Sequence, residues 1–316
     1  MPNIDERELC RMFSSKEFLI PTRQICDLHA KVDEWIQTNS CGGIVWGPSR
    51  AGKSSAIAYI AGALKQAYGS ELPVYVYTAT NHVATQKAFY ERLLMALGHP
   101  DASKGTANQM RQRLVNRITM SALNTKYKLA CLFVDEAYLL TVNEFQWLCD
   151  LYNELNINDI QLTVILVSTR EILDVKKGFI QAGKQQIVQR LMLKEAEFHG
   201  IESLSDLYVC MNALDNNFVP QGYDEPICLS ATYFPDAHRD GKTMAAFAPA
   251  FWAAMQNLRK TKHIHANYMT MKCFMDSVSY CLRKFGTDSG DNKVYEPSIV
   301  EWEASLIASG YVSSQV

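Results

Sequence analysis

The sequence predicts an α/β protein with a parallel sheet layered between helices and a mostly helical region after it. Three observations carry this. Gly43-Ile44-Val45-Trp46 reads as a buried strand and Ser55 to Ala61 as a helix, and between them lies Gly47-Pro48-Ser49-Arg50-Ala51-Gly52-Lys53-Ser54. About eighty residues on, the apolar run Leu129 to Val134 ends in Asp135-Glu136. A continuous apolar run of that length suits a strand buried on both faces of a parallel sheet. Strands and helices then alternate as far as about Gly200, the signature of a three-layer architecture.

The loop from Gly47 to Ser54 has the spacing of a phosphate-binding loop, and its strand–loop–helix context is what that motif requires. Its glycines let backbone amides curl around an oxyanion, and the following helix N-terminus adds partial positive charge. Lys53 is placed to reach the β- and γ-phosphates of ATP, and the Ser54 hydroxyl to ligate Mg²⁺. Ser55 completes the expected nucleotide shell. Asp135 and Glu136 end a strand where α/β sheets bind ligands. Asp135 is expected in the Mg²⁺ shell, and Glu136 is expected to orient and deprotonate the attacking water.

The elements follow in order. Residues 1–40 read as a helical lead-in, with Ile25, Leu28, Val32, Trp35 and Ile36 at helical spacing and an extended Phe18-Leu19-Ile20-Pro21-Thr22 before them. A core domain over 41–200 follows. Pro73 to Ala79 is rich in β-branched and aromatic residues and reads as a strand. Thr85 to Leu97 reads as a helix closed by Gly98. Thr106 or Asn108 caps a helix to about Leu123. Asn143 to Leu155 reads as a helix, Gln161 to Thr169 as a buried strand, and Arg190 to Phe198 as a fifth strand. In the helical lid over 201–316, Leu204 to Leu214, Thr243 to Leu258, Tyr268 to Phe285 and Glu296 to Ile307 read as helices. Asn216 to Gly241 is loop-rich, and Gly286 to Lys293 is turn-rich.

A chain of 316 residues allows one large or two modest domains. The net charge of −2 makes the whole molecule no polyanion binder, so nucleic-acid contact must come from local patches. Nine scattered cysteines without a Cys-x-x-Cys pair suggest free thiols in a reducing compartment rather than a metal site. The first eight residues are too charged for a secretory signal. No apolar run approaches the eighteen or so residues of a membrane span. A soluble, cytoplasmic protein with no membrane partner is expected.

Two polar positions narrow the class. Ser168-Thr169 ends the strand after the Asp135 strand. There Thr169 can touch both γ-phosphate and water, the role called sensor one in AAA+ ATPases. Arg190 lies where AAA+ proteins often place an arginine that points into a neighbouring subunit's ATP and ties turnover to assembly. Residues 102–128 hold Lys104, Arg111, Arg113, Arg117, Lys126 and Lys128 and no Asp or Glu, a candidate phosphate-contact surface. The stretch from Arg259 to Lys284 is also basic.

The chain resembles the TnsC/TniB family, AAA+ regulators of target-site choice in transposons, including those that work with CRISPR effectors. The residues that carry this are Ile20-Pro21-Thr22-Arg23-Gln24 with Leu28-His29, the Gly47 to Ser54 loop, Phe133-Val134-Asp135-Glu136-Ala137, Val164 to Thr169, and Lys104-Gly105-Thr106. The similarity covers about residues 18–195. It implies an ATPase that assembles with itself, as a ring or helical filament, on double-stranded DNA. Partners implied are a transposase and a target-selection protein of the same transposon. Pro21 would lie against the nucleotide. Lys87, Lys104 and Thr106 would track a DNA backbone, joined by Arg111 and Arg113. The stretch from Asn216 to Met255 is longer than in minimal members, and for the lid's sensor-two cation Arg259 and Lys260 are the candidates. Two other readings share the motifs: a helicase loader or initiator on DNA, and a nucleotide-gated scaffold with little turnover.

Overall fold

A computed structural model describes residues 19–217, 227–287 and 290–313. The first eighteen residues of the expected lead-in and part of the expected 216–241 loop lie outside these. The described residues form two compact units, one of residues 25–49 and 53–198, the other of residues 19–24, 50–52, 199–217, 227–287 and 290–313.

The first unit is built on five parallel strands: β1 (Gly42–Trp46), β2 (Val74–Thr78), β3 (Leu129–Asp135), β4 (Gln161–Ser168) and β5 (Lys194–Glu197). Their spatial order is β2-β3-β4-β1-β5, so β1 lies inside the sheet between β4 and β5. Every residue of β3 is buried, as its unbroken apolar run requires. One apolar cluster covers a sheet face with Ile44, Leu132, Val134, Val164 and Leu166. It is closed by α3 (Gln86–Ala96), α4 (Ala107–Leu123), α5 (Val142–Ile157), α6 (Glu171–Gln181) and α7 (Gln185–Leu191). Helix α1 (Arg23–Gln37) and α2 (Lys53–Tyr68) bury their own apolar residues outside that cluster. Trp35 of α1 sits so close to Gly43 that a Cβ there would lie 2.5 Å from its ring.

Two expectations need correction. The span from Arg190 to Phe198 is not one strand: Arg190 belongs to α7, and only Lys194–Glu197 is extended. Ile187, Val188 and Leu191 are buried at helical spacing, and that packing holds the chain in a helix through Leu191. Helix α6 was not foreseen, because it buries only Ile172 and Phe179, too sparse a pattern to read as a period.

The second unit holds α8 (Leu204–Asn216), α9 (Leu229–Tyr233), α10 (Pro235–Arg239), α11 (Ala248–Thr261), α12 (Met271–Phe285) and α13 (Ile299–Ala308). Its core joins Phe251, Phe274, Trp302 and Tyr311 with Ile20 of the N-terminal segment. Helices α9 and α10 replace part of the expected loop, the latter started by Pro235. Buried Asp215 ties them in, accepting from the Ser230 amide (2.8 Å), the Ser230 hydroxyl (2.9 Å) and the Met244 amide (2.7 Å). The expected Thr243 to Leu258 helix begins as a 3-10 turn, Met244–Phe247. No helix of the described residues is long and apolar enough to cross a membrane. All eight cysteines among them are free thiols.

Candidate functional site: a nucleotide cradle at the ends of β1, β3 and β4

Parallel pairing brings the relevant strand ends together. Trp46, the last residue of β1, is in register with Ser168, the last of β4, and the Gly47 amide donates to the Ser168 carbonyl at 3.2 Å. The loop turns where a side chain has no room: a Cβ on Gly47 would lie 1.9 Å from the Phe198 carbonyl oxygen. Arg50 (φ 61°) and Gly52 (φ 105°) take left-handed backbone, which curls the loop before α2 starts at Lys53.

Lys53 is 6% exposed, and its ammonium donates to the Gly47 (3.0 Å) and Pro48 (2.8 Å) carbonyls. Burial lowers its pKa, while Glu136, Asp135 and Glu171 pull it back up. The Ser54 hydroxyl donates to Asp135 Oδ2 at 2.7 Å, and Asp135 Oδ1 accepts the Glu136 amide at 3.0 Å. Glu136 itself is left-handed (φ 55°, ψ 38°), a backbone that costs a non-glycine residue about 1–2 kcal/mol. Strain of this kind gathers at functional sites. Burial raises the Glu136 pKa, as does the negative charge of Asp135; Lys53 opposes them.

The residues present fit an ATP phosphate chain with Mg²⁺. The side-chain oxygens of Ser168 and Thr169 are buried without a hydrogen-bond partner, which is costly unless a ligand completes them. The glycine turn leaves backbone amides at the head of α2. Ser54 and Asp135 supply the two oxygens a Mg²⁺ ion needs when phosphates and water complete its shell. No group of three or more His, Cys, Asp or Glu fit to hold a metal occurs among the described residues. The raised Glu136 pKa has a kinetic consequence. The acid limb of a kcat/KM profile, which reports the free enzyme, should fall above the ordinary glutamate value. A limb at the ordinary value would assign the base elsewhere.

Expected site residues are thus split. Loop residues 47–49 and 53–55, Asp135, Glu136 and Thr169 meet at one end of the sheet in the first unit, whereas Arg50, Ala51 and Gly52 are grouped with the second. Pro21, by contrast, belongs to the second unit, beside buried Ile20. Arg190 lies near Cys149 and Tyr152: burial pushes the Cys149 thiol up to about 11 and the Arg190 charge opposes that, as it does at Tyr152. Arg259 donates to the Tyr311 hydroxyl at 2.8 Å and lies over Trp252. Reading the sequence did not find Glu171, whose charge acts on both Lys53 and Glu136.

The basic block is less free than its sequence suggests. Lys104 pairs with Asp101 (2.6 Å), Arg111 with Glu154 (3.4 Å) and Lys128 with Asp159 (2.6 Å). Arg113 donates to the carbonyls of Asp101, Lys104 and Gln109, bracing the turn before α4 instead of facing outward. Thr106, expected to track a DNA backbone, engages both its amide and its hydroxyl in a capping box with Gln109: the amide donates at 2.9 Å and the hydroxyl oxygen accepts at 3.4 Å. Lys87 and Arg117 remain exposed.

The sheet order, the glycine turn and the acidic strand end define the fold of an AAA+ P-loop NTPase. Residues 38–176 match a family model described as an AAA domain. No match was found among curated protein sequences. Among solved structures, the ORC2 protein of Aeropyrum pernix in ADPNP–ADP complexes is 13% identical, with a TM-score of 0.52 over 95% of this chain and 71% of that one. Drosophila ORC bound to DNA is 12% identical, with a TM-score of 0.49 over 88% of this chain and 42% of that one. Cdc6p of Pyrobaculum aerophilum is 10% identical, with a TM-score of 0.45 over 88% of this chain and 70% of that one.

Proposed function

We propose that this chain is an ATPase that assembles on double-stranded DNA and regulates transposition, linking a target-selection protein to a transposase. The observation that carries the chemistry is the meeting of Lys53, Ser54, Asp135 and Glu136 beside the unpartnered oxygens of Ser168 and Thr169. Lys53 leaves its two loop carbonyls to hold the β- and γ-phosphates. Ser54 and Asp135 hold Mg²⁺, which when bound neutralises phosphate charge. Thr169 fixes the position of the water, and Glu136 takes its proton. The adenine nucleotides named for the ORC2 structure support ATP as the ligand. Arg190 is the residue we assign to a neighbouring subunit's nucleotide.

The transposition role rests on the resemblance in the Ile20 to Gln24 segment and around Lys104. An initiator-type ATPase on DNA shares the nucleotide chemistry, and the ORC2-like fold supports it. A transposase gene beside this one would favour the first reading. DNA contact through phosphates is weak in sequence preference and steep in salt dependence. Exposed Lys87 carries no ion pair among the described residues, so Lys87→Ala should shrink the log–log salt slope of duplex binding by about 0.9 per subunit. Fluorescence anisotropy across a salt series reads this directly. An unchanged slope moves the DNA surface to the cations between Arg259 and Lys284.

A further inference from the structure

We propose that Arg170 is the residue by which this site distinguishes ATP from ADP, its guanidinium resting on the Trp46 ring and transferring to the terminal phosphate. The inference rests on the ATP reading above and adds a residue to it. Arg170 directly follows Ser168-Thr169, whose buried side-chain oxygens lack partners. Its guanidinium stands 5.9 Å from the centre of the Trp46 ring, one residue before Gly47. Register pairing of Trp46 with Ser168 fixes both at the rim of the phosphate loop.

Charge balance asks for a cation there. Asp135, Glu136 and Glu171 all act on Lys53, so this buried ammonium already faces three carboxylates. A terminal phosphate adds further negative charge at the same end. Arg170 is exposed and has no carboxylate partner among the described residues, although acids lie within its own helix turn. Asp174 is taken by Lys177 at 3.1 Å. An arginine stacked on an aromatic face in contact with water is held more weakly than one bonded to phosphate. The stack therefore keeps the fork oriented and gives it up when a phosphate comes within reach.

The test compares affinities of Mg²⁺-ADPNP and Mg²⁺-ADP for the full chain and for Arg170→Ala, Arg170→Lys and Lys53→Ala. Arg170→Ala should lose about tenfold or more for ADPNP and stay within about twofold for ADP. Arg170→Lys should recover part of the loss, since it keeps the charge without the planar fork. Trp46 emission, isolated by difference from Trp46→Phe, should change in Arg170→Ala without nucleotide and in the unmodified chain on adding ADPNP but not ADP. Equal loss for both nucleotides, or unchanged discrimination with Trp46 emission unmoved, would overturn the proposal. Failure of the ATP reading looks different: the unmodified chain would bind neither nucleotide, or Lys53→Ala would bind both normally.

Discussion

Glu136→Gln is expected to bind ATP as the unmodified chain does and to turn it over about 10²–10⁴ times more slowly. The substitution keeps the size of the side chain and its capacity to hydrogen-bond, but an amide cannot accept the proton of the attacking water. The strained left-handed backbone at Glu136 is set by the turn after β3, so the exchange leaves the geometry in place. Without hydrolysis to end it, the ATP-bound assembly should persist on DNA, visible as slowed dissociation from a duplex. Turnover within a few-fold of the unmodified chain would assign the base to another residue. Glu171 is then the next to test, because its charge reaches the same place.

Lys53→Ala should remove nucleotide binding and, with it, ATP-dependent assembly. The ammonium is buried against its own loop carbonyls, and three carboxylates surround it. Removing it leaves those acids to face the phosphates unopposed. Charge-assisted bonds to phosphate are about twice as strong as neutral ones, and Arg50, the loop's other cation, is exposed. Because the Gly47 carbonyl it abandons is buried, circular dichroism of the variant establishes first that it folds. Equilibrium binding of Mg²⁺-ADPNP and sedimentation with and without nucleotide check both halves. Normal affinity with normal assembly would remove the loop from the account.

Much of the site was legible because its chemistry demands fixed residue types at fixed spacing. The loop from Gly47 to Ser54 and the acids at the end of an apolar strand need no tertiary information to be found. The inner strands β3 and β4 followed from the same logic, since strands buried on both faces are continuously apolar, whereas the half-exposed, charged β5 carries no such run and its bounds were missed. What stayed hidden depends on residues distant in sequence. The basic block looked unopposed because Glu154 and Asp159 lie beyond it, and Asp101 lies one residue before it. Arg113 looked free because its acceptors are backbone carbonyls, which carry no sequence signal. Thr106 was read as a helix cap beside Asn108, and the structure puts Thr106 there; the glutamine three residues on, a capping-box signature, is what separates the two. Arg170 and Glu171 gain their position only from the short turn after β4, and α6 buries too few residues to announce itself.

If Lys53, Ser54, Asp135 and Glu136 make one hydrolytic site, phosphate release reads its action. The chain would be incubated with ATP and Mg²⁺, with and without duplex DNA, beside Glu136→Gln under the same conditions. The unmodified chain should release phosphate, more on DNA as assembly completes each site, and the variant should release it about 10² times more slowly or slower still. Equal release from both proteins, or none from the unmodified chain while it binds ATP, would contradict that assignment.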